Sequence, residues 1–110
     1  MASTHTITTH EGTTTLTVDG VPNFDAMSRS DLWAFWKLCG MSSGIRWTIA
    51  RAIFPDRPKN YVRVASHLKN YACNKAVAMK CRIDGDINAA LVYEGICDRI
   101  YNDLPTWAKW

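Results

Sequence analysis

The fold is decided by residues 60–104, NYVRVASHLKNYACNKAVAMKCRIDGDINAALVYEGICDRIYNDL, which predict two helices folded back on each other. Gly85 stands where a helix end favours a left-handed residue, and Asp86 directly after it can cap a following helix. The chain therefore reverses at this pair. Because Pro105 cannot continue a helix, the second helix ends at about Leu104. We expect an antiparallel helical hairpin.

Apolar side chains run along two sides of the first of these helices, which is expected from about Lys59 to Asp84. A helix that is apolar on two sides packs between neighbours. We therefore expect it to be the central element, with two earlier helices on one side and the last helix on the other. The main stripe consists of Tyr61, Val64, Leu68, Ala72, Ala76, Met79 and Ile83, and the second of Cys73, Val77 and Cys81.

The turn also determines which residues of the two helices face each other, because the numbers of facing residues in a tight antiparallel hairpin have a nearly constant sum. Large side chains then meet small ones, as where Ala76 faces Tyr93, and such pairs interdigitate closely. The same register places Lys75 beside Glu94. We expect an ion pair there that sets the register. The alternative is an acid–base pair in a cleft, which needs further polar groups nearby.

Residues 85–105 resemble the second helix of a tetratricopeptide repeat in the Gly-Asp turn, the small residue at the helix crossing and the closing Pro105. The resemblance covers a single hairpin and implies a similar helical pair and a role in protein interaction. A second set of residues is similar to small proteins of phages and related mobile elements, a likeness that implies no function. These are Asn70-Tyr71-Ala72-Cys73-Asn74-Lys75, Tyr93-Glu94 and Asp98-Arg99-Ile100-Tyr101.

Two shorter helices are predicted before the hairpin. Ser28 begins an S-x-x-D motif that caps a helix, and this helix is expected to stop before Gly40. Ser42 or Ser43 caps the next helix, which ends at Phe54 because a proline follows. The core sides of the two helices are expected to be Leu32, Phe35, Trp36 and Cys39 in the first, and Ile45, Ile49, Ala52 and Ile53 in the second.

The first 20 residues differ in composition from the rest, with eight threonines and no Lys or Arg. Their β-branched residues, with Glu11-Gly12 between two runs, predict two short strands and a turn. Such a hairpin packs on the helices, pairs with another chain or remains a mobile tail. The predicted fold is mainly α. It is a small four-helix bundle (residues 21–110) built on the helical hairpin, with a short Thr-rich β-hairpin or tail (residues 1–20).

The four cysteines never occur as a C-x-x-C pair and lie among apolar neighbours, so we expect small buried thiols. The alternatives are a redox pair or a zinc site completed by His67, although Cys73 and Cys81 lie about 12 Å apart along one helix. No cofactor or metal is expected. With no apolar run of membrane-spanning length and no signal-peptide pattern, the chain is expected to be soluble and cytoplasmic.

The charge is uneven along the chain. Residues 42–82 carry nine Lys or Arg residues and a single acid, Asp56, whereas both flanks are net acidic. Clustered cations neutralise phosphates, so nucleic-acid binding by this basic segment is one functional hypothesis. The cations around the long helix scatter over most of its circumference, which weakens that hypothesis. The contacts expected for it are Arg46, Arg51, Arg57, Lys59 and Arg63.

A protein-interaction module, binding another protein or a second copy of the chain, is the favoured hypothesis. Trp47, Arg51 and Phe54 fall on one side of the second helix, with Arg46 nearby, and Trp and Arg are frequent interface anchors. The alternative is that these rings form a second core face. No catalytic motif is present, so we expect no enzyme, and Glu94, Lys75 and His67 are the residues to inspect if a cleft exists.

Overall fold

The computed structural model describes residues 2–110 and is mainly helical, with one two-stranded antiparallel sheet near its start. The mainly helical class and the N-terminal β-hairpin are thus confirmed. The elements are β1 (Ser3–Thr9), β2 (Gly12–Val18), α1 (Arg29–Met41), α2 (Ser43–Ile53), α3 (Tyr61–Ile83) and α4 (Ile87–Asp103). Two single-turn 3₁₀ helices lie at Phe24–Ala26 and Thr106–Ala108.

The threonines of the β-hairpin form a ladder of facing pairs on its solvent-exposed face. Thr4, Thr6 and Thr8 lie opposite Thr17, Thr15 and Thr13, and the facing hydroxyls are hydrogen-bonded at 2.9, 3.1 and 2.9 Å. The opposite face buries Ile7 and Val18 in the same apolar core as the helices. Of the three arrangements considered for this segment, the structure has the hairpin packed on the helices.

Polar contacts hold the hairpin against α1. Arg29 Nε lies 2.8 Å from a carboxylate oxygen of Glu11, and the Thr14 hydroxyl donates to Asp31 at 3.0 Å. The Lys37 ammonium donates to the Thr8 carbonyl at 2.6 Å. These contacts run along α1, so the sheet is fixed in register with the helix.

The predicted helix ends are mostly confirmed. Ser28, Ser42 and Asp86 each accept a hydrogen bond from the backbone N–H three residues later, and Gly85 has a φ of +82°. The predicted stop before Gly40 is wrong, since α1 continues to Met41. Gly40 faces solvent and the Lys69 side chain, and a glycine at such a position does not end the helix.

Helices α3 and α4 pack side by side in opposite directions, as the predicted hairpin requires. The Cys97 thiol lies 3.7 Å from the Tyr71 carbonyl, and Arg82 bonds to Glu94 nearer the turn. Helix α3 also packs against α1 and α2, so it contacts each of the other three helices.

Two expected core positions are exposed. Trp36 is 38% exposed on α1, and Ile83 is 70% exposed at the end of α3, because no element covers either position. The fully buried core lies between the sheet, α1, α2 and α3. Its largest side chains are Phe24, Phe35, Leu32, Leu38, Ile49, Ile53, Leu68 and Val18.

Candidate interaction surface on helix α2

Helix α2 is short, and its two sides have different characters. The Ser42 hydroxyl accepts from the Ile45 N–H at 3.2 Å and starts the helix, and Pro55 prevents its continuation. Ile49, Ala50, Ala52 and Ile53 are buried. The side chains of Trp47, Thr48 and Arg51 lie on the opposite side and are exposed.

Trp47 is the largest side chain on this outward side. It is 43% exposed, and its ring meets Tyr61 at the start of α3 edge to face, with centroids 6.0 Å apart. An edge-to-face contact fixes the orientation of a ring while leaving much of its surface accessible. The two aromatic rings thus form one partly exposed pair across α2 and α3.

Phe54, the fourth residue expected in the interaction patch, lies elsewhere. It is only 4% exposed, and its ring packs on Trp107 with centroids 5.1 Å apart. The short helix ends at Ile53, so Phe54 already leaves the helical path and turns into the core. The alternative of a second core face therefore holds for Phe54 and not for Trp47.

Five cations surround the Trp47–Tyr61 pair in sequence, and all are exposed: Arg46, Arg51, Arg57, Lys59 and Arg63. Within residues 2–110, none of them forms an ion pair. Arg51 and Arg57 line a shallow cavity of about 400 Å³ together with Thr48 and Pro55. We call Arg46, Trp47, Arg51, Arg57, Lys59, Tyr61 and Arg63 the basic–aromatic surface.

The basic segment has an earlier part whose cations are free and a later part whose cations are paired. Later on α3, Lys75, Lys80 and Arg82 each have a carboxylate partner, in Asp25, Asp84 and Glu94. A cation held by a carboxylate in its own chain is less available to a ligand. The charge that is free for binding is therefore concentrated before residue 70.

The predicted Lys75–Glu94 ion pair is wrong. The Lys75 ammonium lies 3.3 Å from Asp25, and Glu94 instead accepts hydrogen bonds from the Arg82 guanidinium, one of them at 2.7 Å. Planar guanidinium binds carboxylate through two parallel bonds, which a lysine cannot match. Hydrogen bonds from Arg82 hold the pKa of Glu94 below its usual value, and the more distant Lys75 charge adds to this effect.

A polar cleft of about 510 Å³ lies beside this point, between α3, α4 and the Phe24–Ala26 turn. Asp25 at its edge accepts hydrogen bonds from the Tyr71 hydroxyl at 2.8 Å and the Trp110 indole at 2.9 Å. Partial burial acts to raise the pKa of Asp25, but these bonds and Lys75 outweigh it and the pKa lies below its usual value.

The same network keeps Tyr71 protonated, because burial and the neighbouring Asp25 carboxylate raise the pKa of its hydroxyl. A carboxylate with a lowered pKa and three donors is a weak base at neutral pH. The cleft is therefore a structural junction between the Phe24–Ala26 turn, α3 and Trp110. His67, the third residue singled out for inspection, is exposed on α3 and lines a different cavity, with Arg99 and Asp103.

All four cysteines are free thiols. Cys39 and Cys97 are buried, which raises the pKa values of their thiols to about 12 and about 11, while Cys73 and Cys81 are half-buried. Over residues 2–110, His, Cys, Asp and Glu side chains nowhere form a group of three that could hold a metal ion. None of the helices in that part of the chain combines the length and apolar character needed to cross a membrane.

Sequence reasoning placed Trp47, Arg46 and Arg51 on one helix and the structure exposes all three. The contribution of Tyr61 was not predicted: it is partly buried against the core, as its place in the α3 stripe predicts, and its ring also contacts Trp47. Comparison with known proteins gives no match to a family model, to a curated protein or to a solved structure.

Proposed function

We propose that the chain is a protein-interaction module that binds an acidic partner protein through the basic–aromatic surface. The observation that carries the proposal is the position of Trp47. Its ring is 43% exposed and stands among arginines that have no carboxylate partner within residues 2–110. Exposed Trp beside Arg is the combination enriched at the energetic centre of protein interfaces.

The arrangement around Trp47 supports a protein partner. Arg46 and Arg51 lie on α2 with Trp47, and each lines a separate cavity, with Arg57 beside Arg51. A central aromatic anchor with a charged rim is the usual anatomy of a protein interface. The indole excludes water at the centre, while the rim charges increase the association rate and select the partner.

The unpaired cations indicate that the partner is acidic. Because Arg46, Arg51, Arg57, Lys59 and Arg63 have no intramolecular carboxylates, a partner bearing Asp and Glu side chains meets them without breaking existing ion pairs. Arginine binds carboxylate through two parallel hydrogen bonds, which adds orientation to attraction. Such attraction depends strongly on ionic strength.

The scaffold suits such a role. The four helices form a small bundle in this proposal, with α2 held against α1 and α3 so that the surface is ordered before the partner arrives. A surface already ordered in the free protein loses less entropy on binding. Four free thiols fit a reducing compartment, and we place the protein in the cytoplasm on that ground.

Nucleic-acid binding is a second candidate, favoured by the five free cations and the exposed ring of Trp47. Arginines would neutralise phosphates while Trp47 stacks on a base. The two candidates differ in their response to nuclease and in the class of molecule retained.

The test is an affinity pull-down from host lysate, with and without nuclease, comparing wild type with Trp47→Ala. Trp107→Ala is the matched control, since Trp107 is exposed to a similar degree (42%) and lies after α4. We expect acidic proteins that are retained after nuclease treatment, lost with Trp47→Ala and kept with Trp107→Ala. Equal capture by wild type and Trp47→Ala overturns the proposal. Capture that nuclease abolishes overturns it too and supports nucleic-acid binding instead.

A further inference from the structure

A second aromatic surface lies on α1, away from the basic–aromatic surface. Trp33 and Trp36 are one helical turn apart, and their rings meet edge to face with centroids 5.4 Å apart. His10, from the turn of the β-hairpin, packs against Trp33 at 5.1 Å. Together with Thr9 and Lys37, these rings line a cavity of about 370 Å³. The cavity is largely aromatic, and it is open.

Lys69 on α3 lies beside Trp36, one of the rings that line this cavity. Its ammonium nitrogen lies 6.0 Å from the centre of the Trp36 ring and 3.4 Å from where a side chain at Gly40 would begin. The face of the Trp36 ring and the negative end of the α1 dipole both attract this cation, and neither neutralises its charge. Within residues 2–110, Lys69 forms no ion pair.

Lys69 also lines a second cavity, of about 380 Å³. Arg46, which likewise has no carboxylate partner in the described chain, lines the same cavity. Hydroxyl and amide groups complete the lining, and no Asp or Glu contributes to it. The remaining residues are Cys39, Gly40, Ser42, Ser43, Ser66 and Asn70.

The two cavities have complementary chemistry. They meet where Lys69, from the lining of the second, lies 6.0 Å from the Trp36 ring that lines the first. The first offers aromatic edges and faces to a planar ring. The second offers two positive charges and several hydroxyls to an oxyanion, with no negative charge to repel it. A ligand that satisfies both carries an aromatic ring joined to a phosphate.

We propose that this α1–α3 surface (His10, Trp33, Trp36, Lys69 and Arg46) binds a phosphorylated nucleoside. The base lies in the aromatic cavity and the phosphate lies between Lys69 and Arg46. A free nucleotide and a nucleotide within a single strand present the same chemistry. The site adjoins the partner surface on α2 at Arg46, which belongs to both.

The experiment is calorimetric titration of the full chain with adenosine monophosphate, adenosine, inorganic phosphate and a short single-stranded oligonucleotide. We expect saturable binding of the monophosphate, about tenfold tighter than either adenosine or phosphate alone. Trp36→Ala and Lys69→Met should each weaken it about tenfold, because each removes one half of the recognition. Circular dichroism melting checks that both variants fold.

Trp107→Ala and Arg99→Met are the matched controls, since both positions are exposed and lie outside both surfaces; both should bind the monophosphate like wild type. A strand that binds more tightly than the monophosphate identifies nucleic acid as the source of the nucleotide, and equal affinity identifies free nucleotide. Absence of saturable binding for both the monophosphate and the oligonucleotide overturns the proposal. Unchanged binding of the monophosphate by Trp36→Ala and Lys69→Met also overturns it. Neither result depends on the fate of the partner surface.

Discussion

The indole N–H of Trp110 donates a hydrogen bond to the carboxylate of Asp25 at 2.9 Å, although 85 residues separate them in the chain. The same indole ring packs between Phe24, Tyr71 and Tyr101, with centroids 4.6 to 4.9 Å away. Residues from three separate segments thus meet at one ring. This junction joins the 3₁₀ turn before α1 to the last helix.

Replacing Trp110 with Ala should therefore destabilise the whole fold. We expect the free energy of unfolding to fall by about 2–3 kcal/mol, less than for a fully buried Trp because this one is half-buried. Urea unfolding followed by circular dichroism measures it. Trp107→Ala is the control and should cost about 1 kcal/mol, since Trp107 is 42% exposed and its ring packs edge to face on Phe54. Equal losses for both variants would contradict the role given to Trp110.

Asp25→Asn should lower stability in a pH-dependent way. The pKa of Asp25 is lowered in the folded protein, so folding favours the carboxylate. The resulting stabilisation is present above the unfolded pKa of about 4 and is lost as the pH falls through the folded value. We expect a loss of about 1 kcal/mol at pH 7, kept small by solvent screening, because the side chain is half exposed.

The measurement is urea unfolding of wild type and Asp25→Asn between neutral pH and about pH 3. The difference between the two proteins should be constant near neutrality and shrink below about pH 4. A difference that persists unchanged in acid would show that the carboxylate charge is not what holds Trp110 and Tyr71.

Two glycines provide a matched test of the hairpin turn. A Cβ at Gly85 or at Gly95 would meet no atom within 4 Å, so the two positions differ in backbone conformation and not in space. Gly85 has a φ of +82°, whereas Gly95 lies inside α4. Gly85→Ala should cost about 1 kcal/mol, and Gly95→Ala should stabilise by about 0.5–1 kcal/mol. Thermal unfolding of both variants decides, and effects of the same sign would contradict this account.

The features that sequence predicted well are those determined locally. The Gly85-Asp86 turn depends on one positive φ and one side-chain cap, and the Ser28 cap depends on four consecutive residues. The β-hairpin is likewise encoded in its own β-branched residues. Such features need no knowledge of what packs against them.

The errors arose where long-range packing decides the outcome. Lys75 does approach Glu94 in register, but Asp25, fifty residues earlier, is closer, and Arg82 reaches Glu94 with better geometry. Periodicity alone could not show that Trp36 has no cover on its helix face. In the candidate surface, Trp47 and Arg51 were predictable from helix periodicity, whereas the contribution of Tyr61 required knowing where α3 begins relative to α2.

In the proposed function, free arginine charge on α2 recruits the acidic partner. Reversing one charge on that surface and one elsewhere, with Arg51→Glu and Arg99→Glu, separates this role from a general effect of charge. Both arginines are exposed on helices and without ion pairs within residues 2–110. The measurement is the affinity of each variant for the nuclease-resistant partner retained by wild type. We expect about a tenfold or greater loss for Arg51→Glu and wild-type affinity for Arg99→Glu. Equal losses, or no loss for Arg51→Glu, would show that the charge of α2 does not recruit the partner.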